Sequence, residues 1–154
     1  VVSRLHIGID RGAGPDRVGV RVSPLNSFNS MGDSDPVALY THLAQKLNDL
    51  NLAYLHVMRG DVLGELEGDL LTPIRSAYHG TLISNMGYTA EEADREIAAG
   101  QIDAVAFGVP YLANPDLPER FAKGARLNEA NPATFYTPGP GGYNDYPCLG
   151  ETPV

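Results

Sequence analysis

The sequence predicts an α/β fold built from four successive strand–helix units. Four short apolar segments rich in β-branched residues alternate with segments of helical periodicity. The strand starts lie roughly 23 to 35 residues apart, which suits one strand–helix unit each. The apolar segments alternate little with polar residues, which is typical of parallel strands buried on both faces. The predicted strands are residues 18–22, 53–58, 80–84 and 103–107.

Each predicted helix begins at a recognisable signal. An N-cap residue or a proline at the first helical position marks each start, and a glycine marks one of the ends. A strand followed by a helix and then a parallel strand implies right-handed crossovers. The signals are Asp35-Pro36, Thr72-Pro73 with Pro73 at the first helical position, the Thr89/Glu92 capping box closed by Gly100, and Asn114-Pro115 followed by Pro118.

Length and composition narrow the classes of function. The 154 residues, 43% of them hydrophobic, are enough for one domain spanning 1–154. The net charge of −8 argues against a nucleic-acid partner, and no apolar run is long enough to span a membrane. The single cysteine, Cys148, indicates a cytoplasmic setting, and the four dispersed histidines predict no metal site.

Four strand–helix units are compatible with two architectures. One is a small doubly wound sheet, and the other is half of an eight-stranded barrel, which needs about 250 residues. In both, ligands bind at the carboxyl ends of the strands. Residues 126–154 are rich in Pro, Gly and Tyr and do not continue the alternation of strands and helices. They are predicted to form a C-terminal arm.

Arg21 and two glycine-containing turns are the candidate site residues. Arg21 lies in an apolar strand, where a buried guanidinium needs either a salt bridge or a bound anion or ring. Gly87 and Gly108 follow the third and fourth strands, where glycines either form a phosphate site or simply make tight turns. His56 is expected to be a core histidine or to have a simple packing role. The third helix is expected to carry a solvated, mostly acidic face: Glu91, Glu92, Asp94, Arg95 and Glu96.

Five segments, in order and covering nearly the whole chain from Arg17 onward, resemble the old yellow enzyme family. This family includes ene-reductases, plant oxophytodienoate reductases and trypanosomatid prostaglandin F synthases. The segments are RVGVRVSPLNSFNSMGDSDP (17–36), LAYLHVMRGD (52–61), ISNMGYTAEEADREIAAGQIDAVAFG (83–108), YLANPDLPERF (111–121) and FYTPGPGGYNDYP (135–147).

The resemblance implies a (β/α)8 TIM barrel, with this chain covering about the last four βα units and the C-terminal arm. Residues 1–16 match poorly and are taken as a lead-in. The family's activity is reduction of activated C=C bonds of enones, or of nitro compounds and nitrate esters, by NADPH through bound FMN. The family's proton donor and carbonyl-binding pair belong to the first half of the barrel. No catalytic residue is therefore expected in this chain, and the isolated chain is expected to be inactive.

Residue by residue, the resemblance assigns a cofactor site. Arg21 matches the arginine beside the flavin N1/O2 edge, and Met86 and Gly87 match the turn that binds the FMN phosphate. Gly108 and Val109 match a second phosphate turn. In the arm, the resemblance places Tyr136 over the substrate pocket and Phe135 beside the dimethylbenzene end of the flavin.

Two departures from the family concern phosphate charge. Most relatives carry arginine at the position of Val109. Some trypanosomatid relatives have a small apolar residue there and carry an arginine one turn earlier, next to the glycine that matches Gly87. This chain has neither, so its phosphate site is expected to use backbone N–H groups alone. The loss corresponds to a charge-assisted contact of about 1.5–3 kcal/mol.

The sequence is also compatible with a non-enzymatic class of function. The chain could be a non-catalytic half-barrel that binds a phosphate-bearing ligand, or that associates with a second copy to cover its sheet edges. The partner would then be either a separate N-terminal half or another copy of this chain.

Overall fold

A computed structural model describes residues 14–151 and contains a four-stranded parallel sheet. The order β1-β2-β3-β4 follows the chain, with each strand paired to the next. Sequential order is the arrangement of a barrel wall, whereas a doubly wound sheet reverses its strand order. The strands are β1 Gly19–Val22, β2 Tyr54–Met58, β3 Leu82–Asn85 and β4 Ala104–Ala106.

Five α-helices lie in the described part of the chain, and most of the start signals function as predicted. Asp35 accepts a hydrogen bond from the N–H of Ala38 at 3.0 Å, and Thr89 accepts one from Glu92 at 3.2 Å. Gly100 follows the third helix in a left-handed conformation, φ 72°. The helices are α1 Pro36–Asn48, α2 Leu71–Ala77, α3 Ala90–Ala98, α4 Val109–Ala113 and α5 Leu117–Lys123.

Two helix starts differ from the prediction. α2 begins at Leu71, so Pro73 is not its first residue. Its N-cap is Leu70, and Asp69, one residue further upstream, accepts a hydrogen bond from the Thr72 N–H at 3.1 Å, which supports the earlier start. The short helix α4 occupies the segment predicted as a turn, and Asn114 therefore ends α4 while Asp116 precedes α5.

The sheet is well covered on one face only, which corrects the prediction of strands buried on both faces. On the covered face, Leu55, Val57 and Leu82 are at most 1% exposed. β1 and β4 contain no buried residue. A barrel fills its interior with layers drawn from the whole ring of strands, and four strands supply only part of each layer.

The chain divides into two compact units, the first ending at Ala106 and the second beginning at Phe107. The first contains the sheet and α1–α3, and its core includes Leu47, Ile74 and Tyr78. The second contains α4, α5 and the C-terminal arm. No helix among residues 14–151 is both long enough and apolar enough to cross a bilayer.

The arm of the second unit is held by a buried arginine. Arg120 donates to Asp116 at 2.6 Å, to the Arg126 carbonyl at 2.7 Å and to the Pro147 carbonyl at 2.8 Å. Phe121 packs edge-on against Phe107, with ring centroids 5.1 Å apart. The arm is therefore pinned to α5 by side-chain contacts with backbone carbonyls.

Candidate functional site

The turn that follows β3 has an unusual backbone. Met86 (φ 89°) and Gly87 (φ 70°) both adopt positive φ, one after the other. Methionine rarely adopts this conformation because its Cβ crowds the backbone, so the turn must be held by its surroundings. A Cβ added to Gly87 would meet only the Nη2 atom of Arg59 within 4 Å, at 3.8 Å, so the turn faces open space.

Arg59, at the end of β2, holds this turn. Its Nε donates to the Met86 carbonyl at 2.8 Å, while its two terminal nitrogens bind both oxygens of Glu92 at 2.7 and 2.9 Å. Glu96 approaches at 3.5 Å, and the guanidinium carbon lies 3.5 Å from the Tyr88 ring centroid. The hydrogen bond from Arg59 lowers the pKa of Glu92 below its ordinary value.

These contacts correct the expectation of a fully solvated acidic face on α3. Glu92 and Glu96 turn toward the sheet and are half-buried, whereas Glu91 and Asp94 are exposed. Glu96 also accepts from the Tyr88 hydroxyl at 2.9 Å. The spacing of four residues places Glu92 and Glu96 on one side of the helix, where both reach Arg59.

The backbone of this turn is a candidate for binding an anion. Successive N–H groups in a tight turn form a concave, anion-binding surface, and glycine allows close approach. The amino end of α3 is already occupied, because Thr89 caps it and Glu91 and Glu92 compensate its dipole. An anion is thus better accommodated at the Met86–Gly87 turn than at the helix end.

Arg21 and His56 lie on the less covered face of the sheet. The register pairs Arg21 with His56 and His56 with Ile83, so the three share one level and one face. Arg21 is exposed, which corrects the prediction of a buried guanidinium. No carboxylate among residues 14–151 forms an ion pair with it, so the salt-bridge interpretation finds no support in the described chain.

His56 is half-buried and bonded to a neighbouring strand. Its Nε2 lies 3.1 Å from Oδ1 of Asn85. Burial lowers the pKa of His56, the positive charge of Arg21 acts in the same direction, and the contact with Asn85 opposes them. The ring is therefore neutral near pH 7, and His56 keeps the packing role predicted for it.

The remaining predicted site residues lie in the second unit, at its surface. Gly108 precedes α4 and is exposed, and Val109, its first residue, is 49% exposed. Tyr136 is 99% exposed in the arm, whereas its neighbour Phe135 is half-buried. Gly108, Val109 and Tyr136 are thus accessible to a ligand. Within residues 14–151, no three His, Cys, Asp or Glu side chains converge as metal ligands would.

Asp61 is a second residue whose role the sequence did not reveal. Its carboxylate accepts from the Ser27 hydroxyl at 2.7 Å and the Ser27 N–H at 2.9 Å, joining the loop after β1 to the loop after β2. It also accepts from the N–H groups of Leu63, Glu65 and Leu66 at 2.9–3.2 Å. The only signal for Arg59 and Asp61 was their position at the carboxyl end of a strand.

The two loops that Asp61 joins border an open cavity of about 720 Å³. Exposed Phe28, Met31 and Leu63 supply much of its apolar lining, and Glu65 and Glu67 add negative charge. The cavity thus belongs to the strand ends at which the sequence predicts a ligand.

Comparison with known proteins identifies relatives along most of the chain. A family profile described as NADH:flavin oxidoreductase / NADH oxidase matches residues 8–128. A probable flavin mononucleotide-dependent alkene reductase of Leishmania infantum is 48% identical over 136 residues, covering 88% of this chain and 37% of that protein. The 12-oxophytodienoate reductase 2 of Arabidopsis thaliana is 44% identical over 144 residues, covering 90% and 38%.

Solved structures agree with the sequence relatives. The old yellow enzyme of Trypanosoma cruzi superposes with a TM-score of 0.85 at 50% identity, covering 88% of this chain and 36% of that one. Morphinone reductase superposes with a TM-score of 0.82 at 42% identity, covering 88% and 37%. The chain spans 37% and 38% of the length of these two curated relatives, and its four sequential strands correspond to part of the barrel of the solved structures. It therefore belongs to the NADH:flavin oxidoreductase / NADH oxidase family, as part of an old yellow enzyme-type TIM barrel.

Proposed function

We propose that this chain supplies the FMN-phosphate-binding part of a reductase that acts on activated C=C bonds. Family membership supports the reaction class, and the Leishmania infantum relative is named as an FMN-dependent alkene reductase. The chain spans about 37% of that relative, so the reaction of the whole protein is part of the proposal.

The single observation that carries the proposal is the Met86–Gly87 turn. Two successive positive φ angles, open space before Gly87 and an arginine holding the Met86 carbonyl make a rigid turn with room for an anion. A phosphate bound there would accept hydrogen bonds from backbone N–H groups, as anions do in such turns. No side chain at position 87 is needed for this contact.

Arg21 is the proposed cation beside the isoalloxazine ring. Bound FMN supplies the two-electron chemistry that links a nicotinamide donor to an activated alkene. Arg21 is exposed, and the described chain gives it no carboxylate partner, so its charge is available to an electron-rich ring edge. A fixed positive charge there would favour the reduced, anionic form of the cofactor.

In the second unit we propose two further contacts. Gly108 and Val109 would contribute backbone N–H groups to phosphate binding, and Tyr136 would contact the substrate. Support comes from the family resemblance of these positions and from their exposure. The family's proton donor and carbonyl-binding pair belong to the first half of the barrel, so we propose that no catalytic residue lies in this chain.

The proposed electron donor is NADPH, and the proposed substrates are enones, nitro compounds or nitrate esters. Morphinone reductase has been solved with tetrahydroNAD, which supports a nicotinamide donor. We expect the isolated chain to show no appreciable turnover. Incubation with FMN, NADPH or NADH, and cyclohexenone tests this, and robust reduction without another polypeptide would refute it.

Titration with FMN tests the cofactor proposal directly. We expect a shift of the flavin absorption bands and quenching of flavin fluorescence as the chain binds FMN. A colourless protein that leaves the flavin spectrum unchanged up to millimolar FMN would remove the cofactor claim. Riboflavin, which lacks the phosphate, is the matched control ligand and should bind more weakly.

Self-association is a second candidate function, favoured by the incompletely covered sheet. β1 and β4 each pair with one strand within the described residues, and the face that carries Arg21, His56 and Ile83 is only partly covered. Partly covered sheet faces and edges favour pairing with another chain. Multi-angle light scattering at several concentrations tests this, and a clean monomer throughout would exclude a stable dimer.

A further inference from the structure

We propose that Arg59 is a positioning residue that fixes the orientation of the Met86–Gly87 peptide and thereby aims the Gly87 N–H at the cofactor phosphate. That a cofactor phosphate binds at this turn rests on the proposed function above. The control exerted by Arg59 on the peptide is a property of the chain alone.

The peptide unit between Met86 and Gly87 has a fixed internal geometry. The Met86 carbonyl and the Gly87 N–H belong to the same planar trans peptide, so they point in opposite directions. Arg59 Nε holds that carbonyl at 2.8 Å. The Gly87 N–H is consequently directed away from the guanidinium nitrogen that holds the carbonyl.

This peptide requires an external constraint. Met86 at φ 89° is in a region that costs a non-glycine residue of order 1–3 kcal/mol. Gly87 at φ 70° has no Cβ to restrict its backbone. Rotation of the peptide plane between the two changes ψ of Met86 and φ of Gly87, which glycine tolerates, and would turn the carbonyl oxygen toward the anion, replacing a donor by an acceptor.

The guanidinium is itself held from several directions. Glu92 binds it with two oxygens, Glu96 lies 3.5 Å away, and Tyr88 stacks on its plane at 3.5 Å. Because Arg59 is only partly exposed and makes all these contacts at once, its Nε stays aimed at the Met86 carbonyl. A lysine cannot reproduce this, since one ammonium cannot bind a carbonyl, pair bidentately and stack.

The same contacts argue against direct charge attraction. Two carboxylates accompany one guanidinium, so the cluster carries no excess of positive charge. Arg59 therefore differs from an arginine that binds phosphate itself. Its effect on phosphate binding comes from the direction of the Gly87 N–H.

The first test uses Arg59→Lys and Arg59→Met, with Arg75→Met as the matched control. Arg75 also binds a carboxylate and carbonyls, Asp103 at 3.0 Å and Gly80 at 3.1 Å, but at the amino end of β3. We expect both Arg59 variants to weaken FMN binding about 10-fold or more, while riboflavin binding changes little. Arg75→Met should leave the ratio of the two affinities unchanged.

An unchanged ratio of FMN to riboflavin affinity in both Arg59 variants would overturn the proposal. If Arg59 only stabilises the fold, its variants would weaken the binding of FMN and riboflavin to the same extent, and this result would also overturn the proposal. If Arg59→Met fails to fold, Arg59→Lys, which keeps the charge, decides the outcome.

A second measurement needs no ligand and separates this proposal from the flavin function. Relaxation dispersion of the Gly87 amide ¹⁵N reports rotation of the peptide on the microsecond-to-millisecond scale. We expect little dispersion in the wild type and in Arg75→Met, and clear dispersion in Arg59→Lys. If the wild type binds neither FMN nor riboflavin, the flavin function fails, and the Gly87 dispersion alone supports or overturns the role of Arg59.

Discussion

Asn114→Ala should destabilise the second unit far more than its single side chain suggests. Asn114 is 0% exposed and lies between α4 and α5. Its Nδ2 donates to the Pro110 carbonyl at 2.8 Å, and its Oδ1 accepts from the Asn128 N–H at 2.7 Å. Removing the side-chain amide leaves both the Pro110 carbonyl and the Asn128 N–H without this hydrogen-bond partner.

Two polar groups lose their partner, and each unpaired buried group costs about 1–3 kcal/mol. Because Pro110 and Asn128 are only half-buried, we expect a loss in the lower part of the combined range, about 2–4 kcal/mol. With a urea m-value of about 2 kcal/mol/M, the denaturation midpoint should fall by roughly 1–2 M. Far-UV circular dichroism measures this midpoint. Asn144→Ala, which removes an exposed amide from the C-terminal arm of the same unit, is the control. It should change stability by less than about 0.5 kcal/mol.

Asn114→Asp tests the same geometry through pH. The carboxylate keeps an acceptor for Asn128 but loses the donor to Pro110, and burial should raise its pKa above the unfolded value. The neutral form then stabilises the fold below the unfolded pKa, and this stability is lost as pH rises through the folded pKa. Equal midpoints for Asn114→Ala and Asn144→Ala, or no pH dependence in Asn114→Asp, would refute the reasoning.

Three further predictions concern the turns and loops. Val109→Arg should tighten FMN binding about 10-fold or more in a fluorescence titration, since it adds a charge-assisted contact, and an unchanged affinity would contradict the assignment of this turn. Burial alone would raise the pKa of Asp61, but hydrogen bonds from Ser27 and the loop backbone outweigh it and lower the pKa well below the ordinary value. Stability from the ionised form is therefore complete above about pH 4 and is lost as pH falls through the folded pKa, so the midpoint difference between wild type and Asp61→Asn should shrink below about pH 4. Thr89→Ala should cost about 1 kcal/mol in urea denaturation through loss of the α3 cap, with Thr89→Ser as the control that keeps it.

Much of the fold was predictable because its signals are local. The four strands appear within two residues of their predicted limits, and Asp35, Thr89 and Gly100 act as the helix-end signals that their residue types indicate. The helix α4 was missed because its five residues offered few cues beyond Pro110 near its start. Pro73 was misplaced because α2 starts at Leu71, where Asp69 supports the first turn by accepting from the Thr72 N–H.

The site was predictable only in part. The resemblance located Met86 and Gly87 at a strand end, and their positive φ angles suit the turn assigned to them. The exposure of Arg21 was predicted wrongly, because the apolar neighbours of a strand residue do not reveal whether the opposite face of the sheet is covered. Roles for FMN, Gly108, Val109 and Tyr136 remain proposals with defined tests.

The sequence by itself determined the order of strands and most helices, most of their ends and the family. Each depends on residues close together in the chain, or on segments that match the family in order. Only the tertiary structure decided the partners of Arg59 and Asp61. Arg59 meets Met86 across 27 positions and Glu92 across 33, and Asp61 meets Ser27 across 34. Such pairs form because parallel strands bring distant residues to one edge of the sheet, and periodicity along the chain carries no information about which side chains then meet.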